Sequence, residues 1–259
     1  MKNIINYILI GFIQGITEFL PVSSSGHIVL FGSFFELDNL LLISVVAHIG
    51  TLFALLFCYK NKIKELIFPP KNTHSPAYLF KNKTNINLIL ATIPTILIVL
   101  IFHDFLEKSF STKTLVWGFL LSAIFLTIAD LKKEGNKQIN KTKSIYLGLS
   151  QGLALLPGIS RSGTTLTCAL LMGINKEEAL DFSFLMSIPI ITASAVYESI
   201  KLFSCQLSVN WLEIFIVMLS SFIFGILSIK IMLKVVKKNK LYVFSIYLII
   251  LSLLVLLFF

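Results

Sequence analysis

The run Pro157-Gly158-Ile159-Ser160-Arg161-Ser162-Gly163 interrupts an apolar stretch, and an echo of it, Pro21-Val22-Ser23-Ser24-Ser25-Gly26-His27, lies 137 residues earlier when Ser25 is set against Ser162. The same offset matches Gln14-Gly15 to Gln151-Gly152 and Gly26 to Gly163, so the chain carries two copies of one unit. Arg161 is the only arginine; every other basic residue is lysine. Its single use marks a position where lysine does not serve, because a guanidinium is a planar, permanently charged fork that holds an anion through two hydrogen bonds. A phosphate suits such a fork.

With 56% apolar and 14% charged residues and a mean hydropathy of +0.88, the 259-residue chain falls outside the range of soluble domains. Apolar runs of about 20 residues recur along it, which predicts a polytopic protein of the bilayer. A net charge of +9 could suit nucleic acid, but the lysines sit in short segments between apolar runs, as in cytoplasmic loops facing anionic lipid. Nucleic-acid binding is therefore not expected. Cys58, Cys168 and Cys205 are odd in number and lack metal-ligand spacing, so neither a disulfide nor a metal cage is read from them. Gln14, Thr17 and Glu18 interrupt the first apolar run and no small-x-small cleavage site follows, so that run is read as mature sequence.

Six runs are predicted to span: roughly 40–60, 85–103, 113–130, 181–200, 211–233 and 241–259. Residues 3–36 and 144–175 are instead broken in the middle by Pro, Gly and clustered Ser. Each half is read as too short to span, giving two re-entrant helical hairpins whose irregular backbone must face protein or a wet cavity. Hairpin plus three spans then occurs twice, and the odd span count makes the second hairpin enter from the opposite face: an inverted-topology repeat. The expected fold is all-α, one integral membrane domain, with repeat 1 at about 1–130 and repeat 2 at about 144–259. Lysines at 60–83, 132–143 and 234–240 fall on one side of this arrangement, and Glu36, Asp38, Asp104 and Glu107 on the other. The positive-inside rule places both termini and the mouth of the first hairpin outside. Pro94 and Pro189 are read as kinks, and residues 60–84, with His74, as a solvated loop.

Gln14 and Glu18 are four apart on one helix face, with Thr17 beside them. A carboxylate in an apolar run costs about 2.5 kcal/mol or more on insertion scales, and is tolerated where it meets a partner, a metal or water. His27 follows Ser23, Ser24 and Ser25 where a half-helix begins, a place suited to acid-base or nucleophilic work. In the second break, Ser160, Arg161, Ser162, Gly163, Thr164 and Thr165 occupy the corresponding positions. Hydroxyls at a helix start serve as caps, and the same helix start attracts phosphate through its N–H groups and dipole. Two helix N-termini, a guanidinium and hydroxyls suit a diphosphate. A divalent cation, Mg or Ca, held in part by Glu18, would sit against the same phosphates. His48 and His103 lack acids close in sequence and are assigned no direct role; Asp181 is read as a helix cap.

The segments Gln14-Gly15-Ile16-Thr17-Glu18-Phe19-Leu20-Pro21-Val22-Ser23-Ser24-Ser25-Gly26-His27 and Pro157–Gly163 closely resemble the undecaprenyl-diphosphate phosphatase family associated with bacitracin resistance, over essentially the whole chain. The resemblance implies a multi-pass enzyme of the bacterial inner membrane that removes the terminal phosphate of undecaprenyl diphosphate and regenerates the carrier lipid for wall polymers. It implies site roles for Glu18, Ser24, His27 and Arg161, with Gln14, Ser23, Ser25, Ser160, Ser162, Gly163 and Thr165 around the substrate. Gln14 stands where some relatives have glutamate, so this pair holds one carboxylate, Glu18. The nucleophile is left among His27, Ser24 and water, with a homo-oligomer compatible with the reading. The competing class is a secondary transporter or lipid-phosphate flippase, since inverted repeats with broken helices are transporter architecture. Glu18 and His27 beside hydroxyls favour chemistry.

Overall fold

A computed structural model describes residues 2–35, 40–68, 78, 82–109, 111–133, 135–203 and 210–258. Among these the chain is all-helical, with eleven helices: α1 (Lys2–Phe19), α2 (Ser24–Phe35), α3 (Leu40–Cys58), α4 (Lys60–Ile67), α5 (Lys83–Lys108), α6 (Thr112–Leu131), α7 (Lys141–Leu153), α8 (Arg161–Leu171), α9 (Lys176–Phe203), α10 (Trp211–Lys237) and α11 (Tyr242–Phe258). Five of them, α3, α5, α6, α9 and α10, are long and apolar enough to cross a membrane. The sixth expected span, α11, runs 17 residues. Glu36, Asp38, His74 and Cys205 lie outside the described residues.

The two broken segments form helix pairs, α1 with α2 and α7 with α8. Pro21 disfavours helix at Leu20 and cannot extend α1, and Ser23 turns the chain with a φ of +68°, uncommon for a residue with a β-carbon. In the second pair Gly158 makes the turn with a φ of +83°. A β-carbon there would lie 2.5 Å from the Leu115 carbonyl oxygen, so glycine is required both for conformation and for space. The pairs are unequal. α1 has 18 residues, about 27 Å of helix and more than the half-span expected of it, whereas α2, α7 and α8 have 12, 13 and 11.

Packing exchanges helices between the halves. α1 lies along α10, and its counterpart α7 lies along α5; α3 meets α9, and α6 meets α11. Small residues make the first contacts close. A β-carbon on Gly11 would fall 2.7 Å from that of Ser220, and one on Gly15 would fall 2.8 Å from that of Phe224. Ser220 and Ser228 donate to the carbonyls of Ile8 and Gly15 at 2.9 and 2.8 Å. On the other side Gly148 abuts the Ala91 carbonyl, and Thr95 donates to the Gly148 carbonyl at 2.9 Å.

Two sequence readings are corrected. Residues 60–67 are helix, not loop: α4 buries none of its residues, and Lys60 sets its ammonium 5.2 Å from the centre of the Phe57 ring. Lys62 instead reaches Asp181 of α9, which also accepts from the Tyr59 hydroxyl at 2.8 Å, so Asp181 ties α4 and the α3–α4 junction to α9 and is more than a cap. Pro94 and Pro189 both lie inside helices, α5 and α9, and the kink that α5 does show is at Phe102, eight residues beyond Pro94.

Candidate active site

The two breaks meet. The Ser162 hydroxyl donates to the Leu20 carbonyl at 3.2 Å, and a β-carbon on Gly163 would lie 3.1 Å from that of Pro21, so glycine lets one break rest on the other. The N-termini of α2 and α8 are thereby brought to one place. Each is capped by a serine: Ser23 Oγ accepts from the Gly26 amide at 3.4 Å, and Ser160 Oγ accepts from the Gly163 amide at 3.2 Å. Ser160 is held in turn by its amide, which donates to Ser122 Oγ on α6 at 2.8 Å.

Glu18 is the centre of the site. Its side chain is 4% exposed, and its two oxygens are divided between partners. Oε1 takes the Arg161 guanidinium through Nη2, across 143 residues of sequence. Oε2 accepts from the Ser24 hydroxyl at 2.6 Å and from Gln14 Nε2 at 2.8 Å. The carboxylate is thus charged, paired and hydrogen-bonded, as a buried acid must be. Arg161 stays 17% exposed on its side chain, its Nη1 3.5 Å from the Ser187 carbonyl. Ser24 and Ser25 are also half-buried, so the carboxylate faces its opening through a guanidinium and hydroxyls. Donation through Nε2 leaves Gln14 Oε1 buried without a partner among the described residues.

Thr165, fully buried, donates to the Arg161 carbonyl at 2.9 Å and meets Ser183 Oγ of α9 at 2.5 Å; it supports the arginine's backbone from behind. Ser25 lies 3.4 Å from Ser23 Oγ, and Ser162 lies 3.3 Å from Ser160 Oγ, one such pair in each break.

His27 is not brought into this cluster. It is 2% exposed, its Nδ1 2.7 Å from the Ser23 carbonyl and its Nε2 2.6 Å from the Tyr247 hydroxyl of α11. Because a carbonyl only accepts, Nδ1 carries the proton and Nε2 accepts from tyrosine. The imidazole beside the carboxylate is instead His48, whose Nε2 stands 3.9 Å from Glu18 Oε2 and whose Nδ1 is anchored 2.8 Å from the Ser44 carbonyl. Its side chain is 23% exposed. Sequence reasoning passed over His48 because its partner acid lies on another helix. The one available signal was a histidine within an otherwise apolar span. Tyr247 was missed for the same reason.

The site lies apart from two apolar grooves of the surface. Those hold about 490 and 450 Å³ and are lined by apolar side chains, including Trp117, Ile124 and Ile249 in one and Phe53, Phe215 and Phe222 in the other. They suit lipid chains, not charge.

Known proteins are similar to this chain over most of its length. Residues 7–254 match the model of the family described as bacitracin resistance protein BacA. An undecaprenyl-diphosphatase of Carboxydothermus hydrogenoformans is 38% identical over 254 residues, 95% of this chain and 93% of that one. One from Alkaliphilus metalliredigens is 39% identical over 256 residues, 93% of each chain, and one from Borrelia recurrentis is 34% identical over 259 residues, 96% of each. Matched by that family's model over residues 7–254, the chain belongs to the BacA family.

Proposed function

We propose that this protein hydrolyses undecaprenyl diphosphate to undecaprenyl phosphate and inorganic phosphate at the junction of the two helix pairs. The observation that carries the reading is the 2.6 Å hydrogen bond from Ser24 to a buried carboxylate that also holds the sole arginine. Ser24 Oγ attacks the terminal phosphorus and gives its proton to Glu18 Oε2 as the Oγ–P bond forms. The bridging P–O bond breaks, and its electron pair leaves with the lipid monophosphate. Glu18 hands that proton to the departing lipid monophosphate and is again a carboxylate; it then takes a proton from water, whose oxygen attacks phosphorus as the Oγ–P bond breaks, and returns that proton to Ser24 Oγ as inorganic phosphate leaves. Arg161 shares its second nitrogen with the phosphate, and the N-termini of α2 and α8 offset the charge that develops on the phosphoryl oxygens.

A divalent cation, Mg or Ca, is part of this proposal. Glu18 and the unpartnered Gln14 Oε1 are oxygen donors of the kind such ions take, with phosphate and water filling the remaining positions. When bound, it would neutralise diphosphate charge. The finer topology is proposed with it: six spans, two re-entrant pairs related by inversion, and an active site opening to the outer face of the inner membrane. The exchange of α1 and α7 between halves supports the inverted repeat. A flippase without chemistry has no use for a serine hydroxyl set on a carboxylate. Phosphate release by purified protein from undecaprenyl diphosphate, abolished in Ser24→Ala, tests the proposal; turnover undiminished in that variant overturns the serine mechanism.

A further inference from the structure

We propose that Tyr247 and His27 are positioning residues, a brace from α11 that fixes the backbone turn presenting Ser24 to Glu18, and that His27 takes no part in bond making. This rests on the reading of Ser24 and Glu18 above. Four observations carry it. Ser23 holds a left-handed backbone at φ +68° without being glycine, so something must keep it there. Its carbonyl receives two donors from one residue, His27 Nδ1 at 2.7 Å and the His27 amide at 3.3 Å. The far nitrogen of the same ring is held by Tyr247 at 2.6 Å, with the two rings stacked at 5.7 Å and 11°. Phe31 and Phe119 close the remaining sides at 6.2 and 5.8 Å.

An imidazole so enclosed has no free nitrogen to offer phosphorus or a hydroxyl proton. What it does hold is the peptide unit that immediately precedes Ser24, and the direction of that unit sets where Ser24 Oγ points. The 2.6 Å bond from Ser24 to Glu18 depends on that direction. Tyr247 fixes the ring from the opposite half of the molecule.

The test compares His27→Ala, His27→Asn and Tyr247→Phe in purified protein, with steady-state turnover of undecaprenyl diphosphate and rapid acid quench. Asparagine places an N–H donor near the position of Nδ1 but neither attacks phosphorus nor carries a proton. A brace predicts that His27→Ala lowers kcat by about 10²-fold and that His27→Asn recovers at least about tenfold of it. Tyr247→Phe should lower kcat about fivefold, the weight of one hydrogen bond, with KM nearly unchanged. Acid quench should yield phosphoserine, more slowly in both conservative variants. His27→Asn as inactive as His27→Ala, unchanged kcat in Tyr247→Phe, or a trapped phosphohistidine each overturns the brace. Ser24→Ala, run in parallel, fails separately: full turnover there refutes the serine reading itself.

Discussion

Replacing Arg161 by lysine keeps the charge and removes the fork. In the structure one guanidinium nitrogen is committed to Glu18, and the other, 3.5 Å from the Ser187 carbonyl, is the one the proposed reaction assigns to the phosphate. A lysine ammonium spans only one of those positions. It will stay on Glu18, because a carboxylate with 4% side-chain exposure cannot be left without its counter-charge. What is lost is one charge-assisted bond to the phosphoryl group, worth about 1.5–3 kcal/mol. That corresponds to roughly 10- to 150-fold in kcat/KM. Arg161→Ala differs in kind: it strands Glu18 and costs about 3–5 kcal/mol of stability. Phosphate release measured on purified Arg161→Lys, beside its thermal midpoint, separates the two effects. The reasoning fails if Arg161→Lys turns over within about threefold of the parent protein, a difference below 1 kcal/mol.

Glu18→Gln keeps shape but loses the base and the cation's carboxylate; activity should fall by about 10²-fold or more, and excess chelator should silence the parent protein until Mg or Ca is restored. Full turnover in chelator, with no metal bound by elemental analysis, removes the cation. Gly26→Ala would drive a β-carbon to 2.6 Å from the Phe119 ring and should cost about 1–3 kcal/mol, read as a lowered melting midpoint that Phe119→Leu partly restores. Single cysteines at Asn136 and Asn210, in a chain freed of native cysteines, should label from opposite faces of intact spheroplasts; labelling of both from one face contradicts the inverted arrangement.

The two breaks were legible because proline, glycine and clustered serine stop helices by local sterics, and the 137-residue offset exposed their kinship. The same offset sets Ser24 against Arg161, so two residues argued to act on one phosphate are equivalent positions of the duplicated unit. Glu18 was legible from the cost of a carboxylate in an apolar run. His48 and Tyr247 were not, because each meets its partner only after distant helices pack, and an isolated polar residue in a span carries no local signal of what it faces. The same holds for Asp181, whose ties to Tyr59 and Lys62 cross about 120 residues of sequence. Helix α4 was hidden by its lysines, which suggested solvent more strongly than its Ile63 and Leu66 suggested a periodic face.

The exchange of helices between the halves also dictates an order of manufacture. Glu18 is synthesised 143 residues before Arg161, an interval of roughly 7–30 s at ordinary elongation rates of 5–20 residues per second. Through that time the carboxylate has no guanidinium to receive it, and α1 has no α10 to lie against. Holding Glu18 in hydrocarbon over that interval costs about 2.5 kcal/mol or more, so the first helix pair gains its full stabilisation only when α8 and α10 have been made. A ribosome that stops before α8 therefore leaves Glu18 without the counter-charge that offsets this cost.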